Sequence, residues 1–258
     1  MERNALLEAN LKRLRLPAMG RLYLALAREA AERNQTHVDY LAALTEQEIV
    51  GREESSLRRR LKAARFPLTK TLADFDFAAI PSLNKNKVLL LSQCEFIRQK
   101  ENVILLGNSG TGKTHLAIAF GICACRQGLR VRFFTASELA NELLEAQQEY
   151  RLSKLEKSWL SHDLVILDEL GYVPFTRTGA ELLFQFCASR YERGSMIITT
   201  NLEFDKWTEV FGNESLTAAL LDRLTHRAHI LLMNGESYRF RESMRRREQE
   251  AENVRKPA

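Results

Sequence analysis

The segment Gly107-Asn108-Ser109-Gly110-Thr111-Gly112-Lys113-Thr114 fills the pattern G-x-x-x-x-G-K-T at every fixed position. The apolar run Asn102-Val103-Ile104-Leu105-Leu106 precedes it, and a helical run from Lys113 to Arg126 follows. Strand, loop and helix in that order distinguish a phosphate-binding loop from a glycine-rich turn that matches by accident. Glycines let the backbone wrap closely around a polyphosphate and aim its N–H groups at the oxygens. Lys113 adds a point charge that reaches the β- and γ-phosphates, and the Thr114 hydroxyl is a magnesium ligand.

Two further strand ends carry matching chemistry. Leu164-Val165-Ile166-Leu167 runs into Asp168-Glu169. Asp168 stands where ligands gather in open α/β sheets and can hold the magnesium, usually through its waters. Glu169 can polarise an attacking water as general base. A pair of acids at a strand end is often a solvated turn; one crossover unit beyond a P-loop, catalysis is the better account. Met196-Ile197-Ile198-Thr199-Thr200 ends in Asn201, which could hydrogen-bond the γ-phosphate or the water. No Asn-Lys-x-Asp sequence for guanine follows the P-loop, since Asn84-Lys85-Asn86-Lys87 precedes it and lacks the Asp, so ATP is preferred to GTP. Arg223, in Leu220-Leu221-Asp222-Arg223-Leu224, and Arg239, after Tyr238, are cations that could meet charge developing on the γ-phosphate. Taken alone, each is better read as an ordinary surface salt-bridge residue.

These residues need a scaffold. Apolar runs at Val103–Leu106, Val131–Phe134, Leu164–Leu167, Met196–Thr200 and Ile230–Met233 alternate with helical stretches. That alternation predicts a mainly parallel sheet covered on both faces. Upstream, Leu11, Leu14, Leu22 and Leu26 recur at helical spacing around a break at Pro17. A third helix starts at a Thr36/Asp39 capping box, with Gly51 expected to loosen its middle, and ends in Arg58, Arg59, Arg60, Lys62 and Arg65. Residues 1–66 are therefore expected to form a helical domain, 67–82 a linker docked through its aromatics, and 83–258 the α/β domain, opening with a helix over about 83–99.

Net charge divides along the chain as +5 over residues 1–70, −2 over 71–235 and +2 over 236–258. Basic ends around a near-neutral centre fit a nucleic-acid footprint, and equally a set of solvated helical faces. The cluster at 58–65 exceeds what a helix dipole needs, which favours phosphate contact there. Nothing at the start of the sequence reads as a signal core, and the longest apolar run, Leu116–Cys125, is short of a membrane span. Cys94, Cys123, Cys125 and Cys187 lack metal or disulfide spacing, and reduced buried thiols imply a cytoplasmic protein.

The combination of P-loop, Asp168-Glu169, Thr200-Asn201, Asp222-Arg223-Leu224 and Ser237-Tyr238-Arg239 resembles AAA+ ATPases of the initiator/helicase-loader branch. Within it the chain resembles the IstB-type helper ATPases of insertion-sequence transposition. Further points of likeness are Leu14-Arg15-Leu16, Lys62-Ala63-Ala64-Arg65-Phe66-Pro67, Phe75-Asp76-Phe77, Asp168-Glu169-Leu170-Gly171-Tyr172, Arg190-Tyr191-Glu192 and Leu224-Thr225-His226-Arg227. The likeness spans about residues 6–242. It implies a three-layer P-loop domain with a five-stranded sheet, ATP and Mg2+ as cofactors, and hydrolysis of ATP to ADP and phosphate. It also implies binding to duplex DNA with weak sequence preference, ATP- and DNA-dependent head-to-tail assembly, and stimulation of a partner transposase, with no membrane involved. Arg223 would be a finger reaching a neighbour's ATP, and Arg239 a second sensor. A helix over about Ser137–Leu160 would carry DNA contacts at Lys154 and Lys157. The ending departs from the pattern, because about 20 residues after Tyr238 fall short of a full helical lid. A helicase loader would share every nucleotide motif, though the 62–77 segment argues against it. A small-molecule P-loop kinase would need neither basic helices nor a finger.

Overall fold

The sheet that carries the chemistry consists of β1 (Asn102–Leu106), β2 (Val131–Thr135), β3 (Leu164–Leu170), β4 (Ser195–Thr200) and β5 (Ala228–Leu232). This computed structural model describes residues 2–238 and 240–244. The strand order is β2-β3-β4-β1-β5 and every pairing is parallel. All five anticipated strands are present, and β3 runs on through Asp168 and Glu169 to Leu170. Strands covered on both faces must be apolar nearly throughout, and all six residues of β4 are buried.

The helices are α1 (Glu2–Arg13), α2 (Pro17–Glu32), α3 (His37–Ala64), α4 (Lys85–Leu91), α5 (Glu95–Arg98), α6 (Lys113–Arg126), α7 (Ala136–Gln148), α8 (Leu152–Leu160), α9 (Arg177–Arg190), α10 (Trp207–Phe211) and α11 (Glu214–Thr225). One layer is α6, which packs along β1, β2, β3 and β4. On the opposite face, Val165, Leu167, Met196 and Ile198 share a core with residues of α7, α9, α10 and α11, among them Leu139, Leu183, Trp207 and Leu220. Full burial of such side chains contributes about 1.5–3 kcal/mol each, so this core anchors the strand tips.

Two expected helices are each divided. The stretch 83–99 forms α4 and α5, broken where buried Cys94 takes φ +60°. The stretch 137–160 forms α7 and α8, with Tyr150 at φ +56° between them. Apolar periodicity continues across both breaks, so periodicity could not reveal them.

By its contacts the chain divides into two compact units, Met1–Arg59 and Arg60–Ala258, and the division falls inside α3. The first unit has a small core of Leu11, Met19, Tyr23 and Leu44. Pro17 starts α2, and Thr36 and Asp39 form the expected reciprocal cap. The buried Glu48 carboxylate accepts the N–H groups of Ala18 and Met19 at 2.8 and 3.1 Å, and the Arg52 side chain at 2.9 Å. A carboxylate there satisfies orphan donors of the α2 N-terminus and complements its dipole. The expectation that Gly51 loosens α3 is not met: the helix runs unbroken, and a β-carbon at Gly51 would lie 3.3 Å from that of Ala18. Close approach of two helices accounts for the glycine.

In the second unit, the end of α3 is held by its own unit's backbone contacts. Arg60 Nε donates to the Cys125 carbonyl at 2.8 Å, and Arg132 donates to the Ala63 carbonyl at 3.3 Å.

Candidate functional site

The loop from Gly107 to Gly112 joins β1 to α6, so its N–H groups lie at the N-terminus of α6. Gly112 has φ +85°, and a β-carbon there would meet the Phe75 ring at 2.8 Å. Both the backbone conformation and the space therefore require glycine. Lys113 Nζ donates to the carbonyls of Gly107 and Asn108 at 2.7 Å each, which holds the ammonium over the loop. The Thr114 hydroxyl lies 3.0 Å from both oxygens of Asp168.

A bulge sets the two acids. Leu167 pairs with Ile198 and Leu170 with Thr200, so Asp168 and Glu169 together stand opposite Thr199. Consecutive residues of a regular strand point to opposite faces; a bulge re-aims one of them. Asp168 is buried and accepts the Thr199 hydroxyl at 2.5 Å. Glu169 takes φ +60°, donates its N–H to Thr199 Oγ1 at 2.9 Å, and presents an exposed side chain to the cleft. Burial pushes the Asp168 carboxyl above its ordinary range, while the hydroxyls of Thr199 and Thr114 and the charge of Lys113 oppose that shift. A buried carboxylate beside a threonine hydroxyl is an oxygen donor set suited to a hard divalent cation such as magnesium.

The cleft above these residues has a volume of about 430 Å³. Asn201, Glu169 and the P-loop line one side. The lining also includes two further segments, residues 68–80, expected only as a docked linker, and the stretch after β5, in which the sequence marked Arg239. Residues of 68–80 contribute Asp74, Phe75 and Ile80, with Phe75 stacked edge-on to His115, whose Nε2 lies 2.8 Å from the Thr71 carbonyl. Residues after β5 contribute Tyr238 and Arg241: the Tyr238 N–H donates to the Gly110 carbonyl, and Arg241 to the Ala79 carbonyl.

A profile of the family described as IstB-like ATP binding protein matches residues 9–246. The chain belongs to this IstB-like family. A relative from Geobacillus stearothermophilus, named for an ATP-binding protein of insertion sequence IS5376, is 40% identical over 230 residues, 89% of this chain and 92% of the relative. One from Pseudomonas aeruginosa, named likewise for IS21, is 40% identical over 236 residues, 92% of this chain and 89% of the relative. Among solved structures, AMPPCP-bound DnaA from Aquifex aeolicus superposes with a TM-score of 0.54 at 20% identity. It covers 66% of this chain and about half, 51%, of its own. At that identity the likeness is one of fold: the α/β P-loop fold of AAA+ proteins.

Within this IstB-like fold, the sequence-derived residues fall into separate groups. Lys113, Thr114, Asp168, Glu169 and Asn201 converge with the loop from Ser109 to Gly112 on one cleft. Arg223 is not in its lining. It sits on α11, with its guanidinium 5.1 Å from the Phe184 ring centroid and Nη1 donating to the Ala219 carbonyl at 3.0 Å. Arg239 lies outside the described residues. Arg58, Arg59, Lys62 and Arg65 are each exposed, while Arg60 is half-buried on the Cys125 carbonyl. Lys154 and Lys157 are exposed on α8.

Sequence reasoning missed Thr199, the acceptor and donor that locks both acids, and Arg241, the described arginine that reaches the cleft after β5. Thr199 carried a signal, as a polar residue at the tip of an otherwise apolar strand. Arg241 carried none. No described helix is long and apolar enough to cross a membrane.

Proposed function

We propose that this protein is a cytoplasmic ATPase that helps insertion-sequence transposition, assembling head to tail on duplex DNA through bound ATP and stimulating a partner transposase. The observation that carries it is the convergence of Lys113, Thr114, Asp168, Glu169 and Asn201 on one cleft of nucleotide size. P-loop N–H groups and Lys113 balance the triphosphate's charge. Thr114 and Asp168 would hold magnesium, which supplies charge neutralisation between the β- and γ-phosphates. Glu169, exposed at the bulge, takes the proton of the attacking water, and Asn201 orients that water or the γ-phosphate.

Three features support the wider role. The relatives named above belong to insertion sequences. Arg223 stands away from its own cleft, so a neighbouring subunit's γ-phosphate is the natural target of its charge. Such a contact is heterologous and propagates into rings or open helices. Arg58, Arg59, Lys62 and Arg65 present exposed cations for phosphates, with Lys154 and Lys157 as a second set.

ATP turnover and particle size, each measured with and without duplex DNA, test the proposal. Turnover should rise, and large particles should form, only when ATP and DNA are both present. Turnover and size indifferent to DNA, or turnover dependent on a small metabolite, would sink it.

A further inference from the structure

The corner between α7 and α8 holds a residue whose placement folding does not explain. Helix α7 ends in a Schellman motif: the Arg151 N–H donates to the Ala146 carbonyl at 2.7 Å, and the Tyr150 N–H to the Gln147 carbonyl at 3.2 Å. In that motif the residue at Tyr150 takes the left-handed conformation, and glycine is the usual occupant because a β-carbon crowds the neighbouring carbonyl. Tyr150 accepts that crowding at φ +56°. Eight described residues other than glycine have positive φ, and Tyr150 is the aromatic one. Its side chain is also 98% exposed, so the ring gains nothing from burial in exchange.

Its surroundings indicate a partner. On α8, Leu152, Leu155 and Trp159 turn toward the core shared with α9. At helical spacing, the opposite face carries Ser153, Lys154 and Lys157, all exposed, and Glu156 and Ser158 fall on the flanks. Glu149, the acid nearest the ring in sequence, is paired with Arg151. The ring therefore projects at the head of a strip whose outward charges are positive. Cations that neutralise phosphates, beside an aromatic ring free to lie on a base or sugar, match nucleic acid rather than an apolar protein surface.

We infer that Tyr150 is a duplex-DNA contact, its ring packing on or wedging between bases while Lys154 and Lys157 meet the phosphates. This rests on the DNA-binding reading above. Aromatic side chains that press on a base step open or bend the duplex there. The contact is indifferent to sequence because every base offers a π-face.

The test uses the full chain with ATP and a fluorescent duplex, titrated at several salt concentrations. Three variants are compared with the wild type: Tyr150→Gly, Tyr150→Phe, and a double change of Lys154→Gln with Lys157→Gln. Tyr150→Gly suits the backbone, so its thermal midpoint should equal or exceed the wild type's, while duplex affinity falls roughly 5- to 150-fold. Its salt slope should be unchanged because no charge is lost; the double lysine variant should show a shallower slope. Tyr150→Phe keeps the ring and should bind within about 3-fold of wild type. A duplex carrying 2-aminopurine should brighten on binding wild type, through unstacking, and not on binding Tyr150→Gly. A wild type that binds DNA together with a Tyr150→Gly protein of equal affinity would overturn this inference alone. So would a Phe variant as weak as Gly, or loss of self-assembly in Tyr150→Gly with DNA affinity intact. A wild type that binds no duplex in any nucleotide state would instead remove the DNA reading itself.

Discussion

Replacing Thr199 with valine keeps the shape of the β4 tip and removes one hydroxyl. That hydroxyl makes two bonds at once: it donates to Asp168 at 2.5 Å and accepts the Glu169 N–H at 2.9 Å. Thr199 and Asp168 are 1% and 3% exposed, so water cannot replace what is lost. Loss of a hydrogen bond to a buried charge costs about 1.5–3 kcal/mol, and an orphaned N–H about 1–3 kcal/mol. Partial overlap of the two gives a net loss of about 3 kcal/mol, or roughly 6–12 °C in Tm for a unit of this size. The Asp168 carboxyl, already raised by burial, should rise further once a donor is gone.

Function should suffer in a particular way. The P-loop is untouched, so ATP affinity should stay within about 3-fold of wild type. The bulge that aims Glu169 loses its anchor, so turnover should fall at least about 10-fold. Scanning calorimetry, nucleotide titration and steady-state ATPase rates on one preparation measure all three. Thr199→Ser restores the hydroxyl and should recover most of the turnover. Thr200→Val is the control, because its hydroxyl bonds only locally to Leu202. Equal stability and equal turnover in Thr199→Val would refute the view that this hydroxyl organises the two acids.

Glu169→Gln should bind ATP but fail to split it, whereas Lys113→Ala should lose ATP binding; wild-type turnover in Glu169→Gln would remove Glu169 as the base. Mixing Arg223→Ala with Lys113→Ala, each inactive alone, should recover part of the ATPase activity, since some mixed interfaces pair an intact loop with an intact arginine. Co-assembled but inactive mixtures would return Arg223 to a role within one chain. Burial alone would raise the Glu48 carboxyl, but the Arg52 side chain and the N–H groups of Met19 and Ala18 outweigh it and hold it below its ordinary value of 4.5. A carboxyl depressed in the folded state contributes stability at neutral pH and loses it as pH falls through the folded value. Glu48→Gln should therefore be less stable than wild type by about 1–2 kcal/mol at pH 7, a gap that calorimetry should find closing as pH falls through the depressed folded value.

The difference between what could and could not be read in the residues is physical. Strand ends at Leu106, Asp168 and Asn201 were legible because a buried parallel strand must be apolar and its functional tip must not be. That contrast is local, and it brought Lys113, Thr114, Asp168, Glu169 and Asn201 to one cleft from sequence alone. The bulge at Asp168-Glu169 was not legible, because it depends on register against β4, a relation between segments about 30 residues apart. Thr199 acquires its role only through that register. The breaks at Cys94 and Tyr150 were hidden for another reason: both residues take the left-handed conformation without being glycine, so no turn residue marks them. The far wall of the cleft was hidden most completely. Phe75 and Arg241 lie 166 residues apart in sequence, and both line the cleft because β5 returns the chain beside β1 and the stretch after it reaches the P-loop. Phosphate chemistry is thus encoded in contiguous motifs, while the walls that close around the rest of the nucleotide are encoded in topology. Substitutions at Phe75 or Arg241 therefore bear on the cleft as well as those in the P-loop, although neither position belongs to a phosphate-binding motif.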